Sequence, residues 1–106
     1  MEKAQIRERI ESAAAQHGFS VKYAGRDWLP NVVSENMNFT LLGQTDPTSD
    51  WKSGRVRVNI TASASVSRMG GDPTPDELLR TADEIRRGAE LLRELQSADL
   101  SYMVKV

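Results

Sequence analysis

Apolar residues recur at helical spacing over residues 1–17. They fall three and four positions apart between charged side chains, at Ile6, Ile10, Ala13 and Ala14, and His17 continues the spacing. This spacing predicts an amphipathic helix. Gly18 follows at once and suits the left-handed conformation that often ends a helix, and Phe19 can pack back over the last turn.

Three segments alternate apolar and polar residues with the period of two that is typical of strands. The first runs over 19–23, and the second runs over 36–42 with an earlier start at Val32 left open. Residues 25–31 between them predict a loop, because they include glycine, proline, aspartate and asparagine. After a polar loop over 43–54, the third segment alternates without interruption over 55–67. We expect so long a strand to bend or twist strongly.

A second helix is predicted from Thr74 to about Ser97. Thr74 is a good capping residue, Pro75 suits the first helical position, and Glu77 completes a capping box. The predicted buried stripe consists of Leu78, Ala82, Ile85, Ala89, Leu92 and Leu95. Gly88 lies inside this helix and costs about 1 kcal/mol relative to alanine unless a neighbour packs closely against it. A last alternating segment over 100–106 predicts a final strand.

The predicted element order is therefore α-β-β-β-α-β within a single α+β domain, residues 1–106. The simplest arrangement is a four-stranded antiparallel sheet with both helices packed on its apolar face. The other face of the sheet is left open.

Composition excludes several classes of protein. The chain has no cysteine, a net charge of −1 and 39% hydrophobic residues. Disulfides and thiolate metal sites are thus excluded, and a cytoplasmic location fits. Neither a signal peptide nor an apolar run long enough to cross a membrane is recognisable, so no membrane association is expected.

No catalytic constellation is recognisable in the sequence. The only histidine, His17, falls at a predicted helix end, where it has a structural role with the last carbonyl groups. The acidic residues follow neither a calcium-loop spacing nor any other recognised site pattern. We therefore predict a protein that is not an enzyme, and we expect neither a cofactor nor a metal.

Two features suggest a binding surface. Trp28 lies in a polar loop, where an exposed aromatic ring can anchor a partner or can fold back over the core. The outward strand positions carry no acidic residue, and their ionisable side chains are all basic: Lys22, Arg55, Arg57 and Lys105. A basic face could bind nucleic acid or an acidic protein. Sheet-based RNA readers stack bases on outward aromatic rings, whereas the alternation here turns Phe19, Tyr23, Phe39 and Tyr102 inward.

The sequence favours a small non-catalytic protein that binds another protein, of the accessory or inhibitor type found in bacteria, phages and mobile elements. Binding of nucleic acid or another anionic partner through the basic sheet face is the alternative. Self-association as a homodimer through the open sheet face or a strand edge also stays open.

Overall fold

The computed structural model describes residues 1–45, 54–65 and 71–104. The helices are α1 (Lys3–Gln16) and α2 (Pro75–Ser97). The strands are β1 (Ser20–Lys22), β2 (Asn31–Val33), β3 (Met37–Thr45), β4 (Arg55–Ala64) and β5 (Ser101–Met103). All five form one antiparallel sheet in the order β1-β2-β3-β4-β5. The predicted α+β class is confirmed.

The predicted count of four strands is wrong, because Asn31–Val33 forms a strand of its own. Val32 lies between Val21 of β1 and Phe39 of β3 in the sheet. The chain then reverses within three polar residues, where the Ser34 N–H donates to the Met37 carbonyl at 3.0 Å. Three residues are too few to display an alternation. The sequence pattern therefore placed Asn31 in the preceding loop and Val32 at a possible early start of the following strand.

The β3–β4 hairpin is the longest paired segment of the sheet. Phe39 lies opposite Ala62, and the pairing extends from Met37 to Thr45 on β3. β3 therefore continues beyond the predicted end of the second strand. The predicted final residues of the third strand, Val66 and Ser67, lie outside the described residues.

One cluster of buried side chains joins both helices to the sheet. α1 contributes the predicted residues Ile6, Ile10, Ala13 and Ala14. The sheet, α2 and the residues that directly precede β1 and β5 contribute Phe19, Val32, Met37, Phe39, Leu41, Val58, Ile60, Leu91, Leu95 and Leu100. At its centre the rings of Phe19 and Phe39 meet edge to face, 5.4 Å between centroids. This geometry is favoured between aromatic rings.

Tyr23 does not join this cluster, contrary to the inward position that the alternation predicted. It follows β1 and is 39% exposed. Its ring lies against the guanidinium of Arg7, 4.7 Å from the centroid, and its hydroxyl donates to Glu11. The polar side of α1 thus provides its neighbours, because the chain leaves the sheet one residue earlier than the alternation implied.

The sheet curls so that its first loop approaches its last strand. The ring of Trp28, in the β1–β2 connection, packs edge to face on Tyr102 of β5 at 5.0 Å. The N-terminal amino group also donates to the Ser101 carbonyl at 3.1 Å. The start of α1 is held at this junction, where the Lys3 ammonium lies 5.1 Å from the Trp28 ring centroid.

The glycine end of α1 and the Thr74 cap of α2 have the expected geometry. Gly18 has φ of +79°, and the N–H of Phe19 donates to the Ala14 carbonyl at 2.8 Å. These are features of a glycine-terminated helix end. At the start of α2, the Thr74 hydroxyl accepts a hydrogen bond from the Glu77 N–H at 3.3 Å, which satisfies one of the free helix donors.

The predicted buried stripe of α2 is wrong at most of its positions. The buried residues are Thr81, Glu84, Gly88, Leu91 and Leu95. Leu78 and Ile85 are instead 45% and 39% exposed, and Ala82 and Ala89 are exposed as well. At 3.6 residues per turn, the buried face is rotated by roughly 90° from the predicted one.

Candidate functional site

The predicted basic residues do not form a single cluster. Lys22 is exposed at the end of β1, and two strands separate it from β4, which carries Arg55 and Arg57. Lys105 lies outside the described residues. Among the described positions, the predicted basic residues therefore form one pair of neighbouring cations and one distant cation.

Asp99 compensates the charge of Arg55 and Arg57. Each guanidinium lies 3.5 Å from the Asp99 carboxylate, and Arg55 also donates to the Ser101 hydroxyl at 3.3 Å. Asp99 has φ of +49° in the turn between α2 and β5, a conformation that aspartate tolerates better than most residues. The sequence missed this neighbour because Asp99 belongs to no strand.

Trp28 folds back over the rim of the core and is half-buried. It packs against the core cluster, and its ring faces the ring of Tyr102 and the ammonium of Lys3. These contacts use much of the surface that an anchoring side chain would offer to a partner.

α2 presents an apolar strip that the sequence placed in the core. We call it the α2 flank, and it consists of Leu78, Ala82, Ile85 and Ala89. These residues are four, three and four positions apart, so they line one side of the helix. All four are exposed. Isolated exposed apolar residues are ordinary on protein surfaces, whereas a contiguous strip indicates a binding site.

β4 leaves part of its edge without a strand partner. β5 pairs with Arg55, Val56 and Arg57 only, and its pairing ends where the Val58 N–H donates to the Leu100 carbonyl at 2.8 Å. Beyond this point no strand in the described part of the chain pairs with β4 on the side away from β3. We call residues 59–64 the β4 edge.

The direction of the backbone groups on the β4 edge follows from two hydrogen bonds. The Val58 N–H points toward β5, whereas the Ser65 N–H points toward β3 and donates to Asn36 at 2.9 Å. Successive residues of a strand point their backbone groups to alternate sides. The N–H and carbonyl groups of Ile60, Ala62 and Ala64 therefore point toward the open edge.

The α2 flank and the β4 edge lie on the same side of the molecule. The opposite side of α2 faces α1, since Arg87 donates to the His17 carbonyl at 2.9 Å and His17 lies 3.2 Å from Glu94. The flank is thus turned away from α1 and toward β4. Ala62 and Ala64 lie below the flank. They are exposed, although their side chains fall on the same face of β4 as the buried Ile60. We call the combined region the α2–β4 surface.

Glu84 fixes this orientation of α2. Its buried carboxylate accepts hydrogen bonds from the Ser34 hydroxyl, from the Asn36 backbone N–H at 2.8 Å and from the Asn36 amide at 2.9 Å. Burial alone raises the pKa of this carboxyl group, but these hydrogen bonds together outweigh it, so the pKa lies below its ordinary value. Glu84 therefore anchors the helix to the β2–β3 turn as an anion.

A groove lies beside Glu84. Its volume is about 590 Å³, and its lining includes Asp83, Glu84 and Arg87. Hydrogen bonds from Arg86 and Arg87 lower the pKa of Asp83. Both carboxylates thus have structural partners: Glu84 holds the helix to the turn, and Asp83 pairs with two arginines of its own helix.

The described residues contain no group of three or more histidine, cysteine, aspartate and glutamate side chains arranged to hold a metal ion. None of their helices has the length and apolar character needed to cross a membrane.

Comparison of the chain with protein-family models, with curated proteins and with solved structures found no match in any of the three.

Proposed function

We propose that this chain is a non-catalytic protein-binding domain, of accessory or inhibitor type, whose binding surface is the α2–β4 surface. The single observation that carries the proposal is the exposed apolar strip of α2 beside an open strand edge. Each feature is a known route to protein recognition, because an open edge accepts a further strand and an apolar helix side accepts an apolar partner.

The composition of the β4 edge supports this proposal. Natural proteins protect open edges with charged residues, prolines or bulges. Residues 59–64 read Asn-Ile-Thr-Ala-Ser-Ala and contain neither a charge nor a proline. An edge without such protection fits a strand that is covered in the working state of the protein.

In this proposal both helices cover one face of the sheet, and the opposite face stays open to solvent. The inward positions of β4 lie under α2, and the outward ones carry asparagine, threonine, serine and arginine. Polar outward positions are the norm for an antiparallel sheet with one covered face. The binding surface then lies at the border between the two faces, where the helix layer ends short of the sheet edge.

Binding of nucleic acid through the basic face has less support. Arg55 and Arg57 share the Asp99 carboxylate, and Lys22 stands apart from them. Affinity for nucleic acid grows with the number of phosphates that cations neutralise. The three described cations of the predicted basic face, Lys22, Arg55 and Arg57, would neutralise few phosphates.

Site-specific photo-crosslinking in the cells that produce the protein tests the proposal. A photoreactive phenylalanine analogue replaces Ile85 on the α2 flank, and a matched variant carries it at Leu79, which is 69% exposed on another side of the same helix. We expect a discrete protein adduct from position 85 and little from position 79. Equal yields at both positions, or no adduct at 85, would refute the proposal.

A further inference from the structure

We propose that the partner bound at the α2–β4 surface is a second copy of this chain. Two copies related by a twofold axis pair their β4 edges antiparallel and form one continuous sheet. This inference rests on the proposed function, because it uses the same surface and names its occupant.

The geometry of the edge suits self-pairing. With the twofold axis at Ala62, this residue lies opposite the partner's Ala62, and Ile60 lies opposite the partner's Ala64. The backbone groups of all three residues point to the open edge, as shown above. Each residue then exchanges hydrogen bonds with the one opposite, for a total of about six across the interface. Antiparallel pairing of identical strands is the arrangement that a twofold axis generates.

Charge also favours a second copy. No residue from Val58 to Ser65 is ionisable, so the two edges approach without repulsion between like charges. The solvent side of α2 carries charges that alternate in sign along the helix, at Asp83, Arg86, Glu90 and Arg93.

These helical charges are arranged symmetrically about Gly88. A Cβ atom at Gly88 would lie 3.4 Å from the Phe39 ring, and Phe39 is paired with Ala62. One twofold axis therefore passes near the centre of both elements. It places Asp83 at the level of the partner's Arg93 and Arg86 at the level of the partner's Glu90. On each copy Arg86 already pairs with Asp83 and Glu90 along its own helix, so this side of α2 brings no net charge of one sign toward the partner.

The α2 flank provides the apolar part of this contact. Leu78 and Ile85 project on the side of α2 that faces the edge, and Ala62 and Ala64 form a floor of small side chains between the two helices. The flank spans roughly 17 Å along the helix, and the six-residue edge spans roughly 20 Å. Because the axis lies near Gly88, the flank of one copy faces the C-terminal half of the partner's α2.

Sedimentation velocity over a range of protein concentrations tests the dimer. We expect the wild-type chain to reach twice its 11.8 kDa mass. Ala62→Pro removes an N–H that faces the edge and is not part of the β3 ladder, so the monomer tolerates it. Ala62→Pro and Ile85→Lys should each weaken dimerisation by about tenfold or more, which corresponds to 1.4 kcal/mol. The control Leu79→Lys should leave it unchanged, and circular dichroism checks that each variant is folded.

Two results would overturn this inference. The first is a wild-type chain that stays monomeric at concentrations approaching ~1 mM, the range of very weak association. The second is a dimer that folded Ala62→Pro and Ile85→Lys variants leave intact. A monomeric chain that still crosslinks to a different protein from position 85 would refute the dimer alone. Loss of every adduct at that position would refute the proposed function as well.

Discussion

Glu84 shows at the scale of one residue how a buried charge can determine the position of a helix. A carboxylate on the core-facing side of α2 would be costly without partners. Here the β2–β3 turn supplies a hydroxyl, a backbone N–H and a side-chain amide. The turn lies about fifty positions away in the sequence, so no local pattern marks Glu84 as different from the solvated glutamates of the same helix.

Removal of the Glu84 carboxylate should destabilise the fold. We expect Glu84→Ala to lower the free energy of unfolding by about 2–4 kcal/mol, because the Asn36 donors lose a charged acceptor in a part-buried position. Glu90 is exposed and forms an ion pair with Arg86 on the same helix. Glu90→Ala is the matched control and should lower the free energy of unfolding by about 0.5 kcal/mol or less. Urea unfolding measures both, and equal losses would contradict this role for Glu84.

The lowered pKa of Glu84 also predicts a dependence of stability on pH. A carboxyl group whose pKa is lower in the folded state stabilises the fold above its unfolded pKa, about 4.3, and loses this contribution as pH falls through the folded pKa. The stability difference between wild type and Glu84→Gln should therefore be constant near neutral pH and shrink below about pH 4.3. Urea unfolding at several pH values measures it, and a difference that grows on acidification would contradict the assignment.

At the scale of an element, the rotation of α2 determines which of its apolar residues are exposed. The hydrophobic periodicity placed Leu78, Ala82, Ile85 and Ala89 inward, and the fold instead buries Thr81, Glu84 and Gly88. Gly88 permits this rotation, because a Cβ there would meet the Met37 sulfur at 2.5 Å. The close packing that could justify a glycine inside the helix is thus present, and the displaced apolar residues form the α2 flank.

Alanine substitutions on two sides of α2 test this orientation. Leu91 is fully buried and Leu78 is 45% exposed. We expect Leu91→Ala to cost about 2–5 kcal/mol, because it leaves a cavity in the core, and Leu78→Ala to cost less than about 1 kcal/mol. The unfolding free energies should be measured at low protein concentration, so that association does not contribute. A larger loss of unfolding free energy for Leu78→Ala than for Leu91→Ala would support the orientation that the periodicity predicted.

At the scale of the whole molecule, the features predicted correctly from sequence are those that local patterns determine. The stripe of α1, its glycine end, the long alternation of β4 and the Thr74 cap each depend on residues close together in the chain. The missed features depend on distant partners. Val32 acts as a strand because it lies between β1 and β3, Asp99 neutralises arginines from β4, and Glu84 binds a remote turn.

The curled sheet explains why the proposed binding surface lies at β4. The curl brings the first loop onto β5, where Trp28, Lys3 and Tyr102 pack together. β5 is only three residues long, and it covers the first part of the β4 edge. Among the described residues no strand covers positions 59–64, and in the proposed dimer they pair with the edge of a second copy, whose helix would meet the α2 flank.

Amide hydrogen exchange along β4, resolved by NMR, tests this central claim most directly. Thr61 and Ser63 direct their N–H groups to β3 and serve as internal references, whereas Ala62 and Ala64 direct theirs to the open edge. The wild-type chain at high concentration is compared with the Ile85→Lys variant. We expect exchange at Ala62 and Ala64 to be at least about tenfold slower in the wild type, with Thr61 and Ser63 much less affected. Equal exchange rates for Ala62 and Ala64 in the two proteins would contradict the claim that a second copy covers this edge.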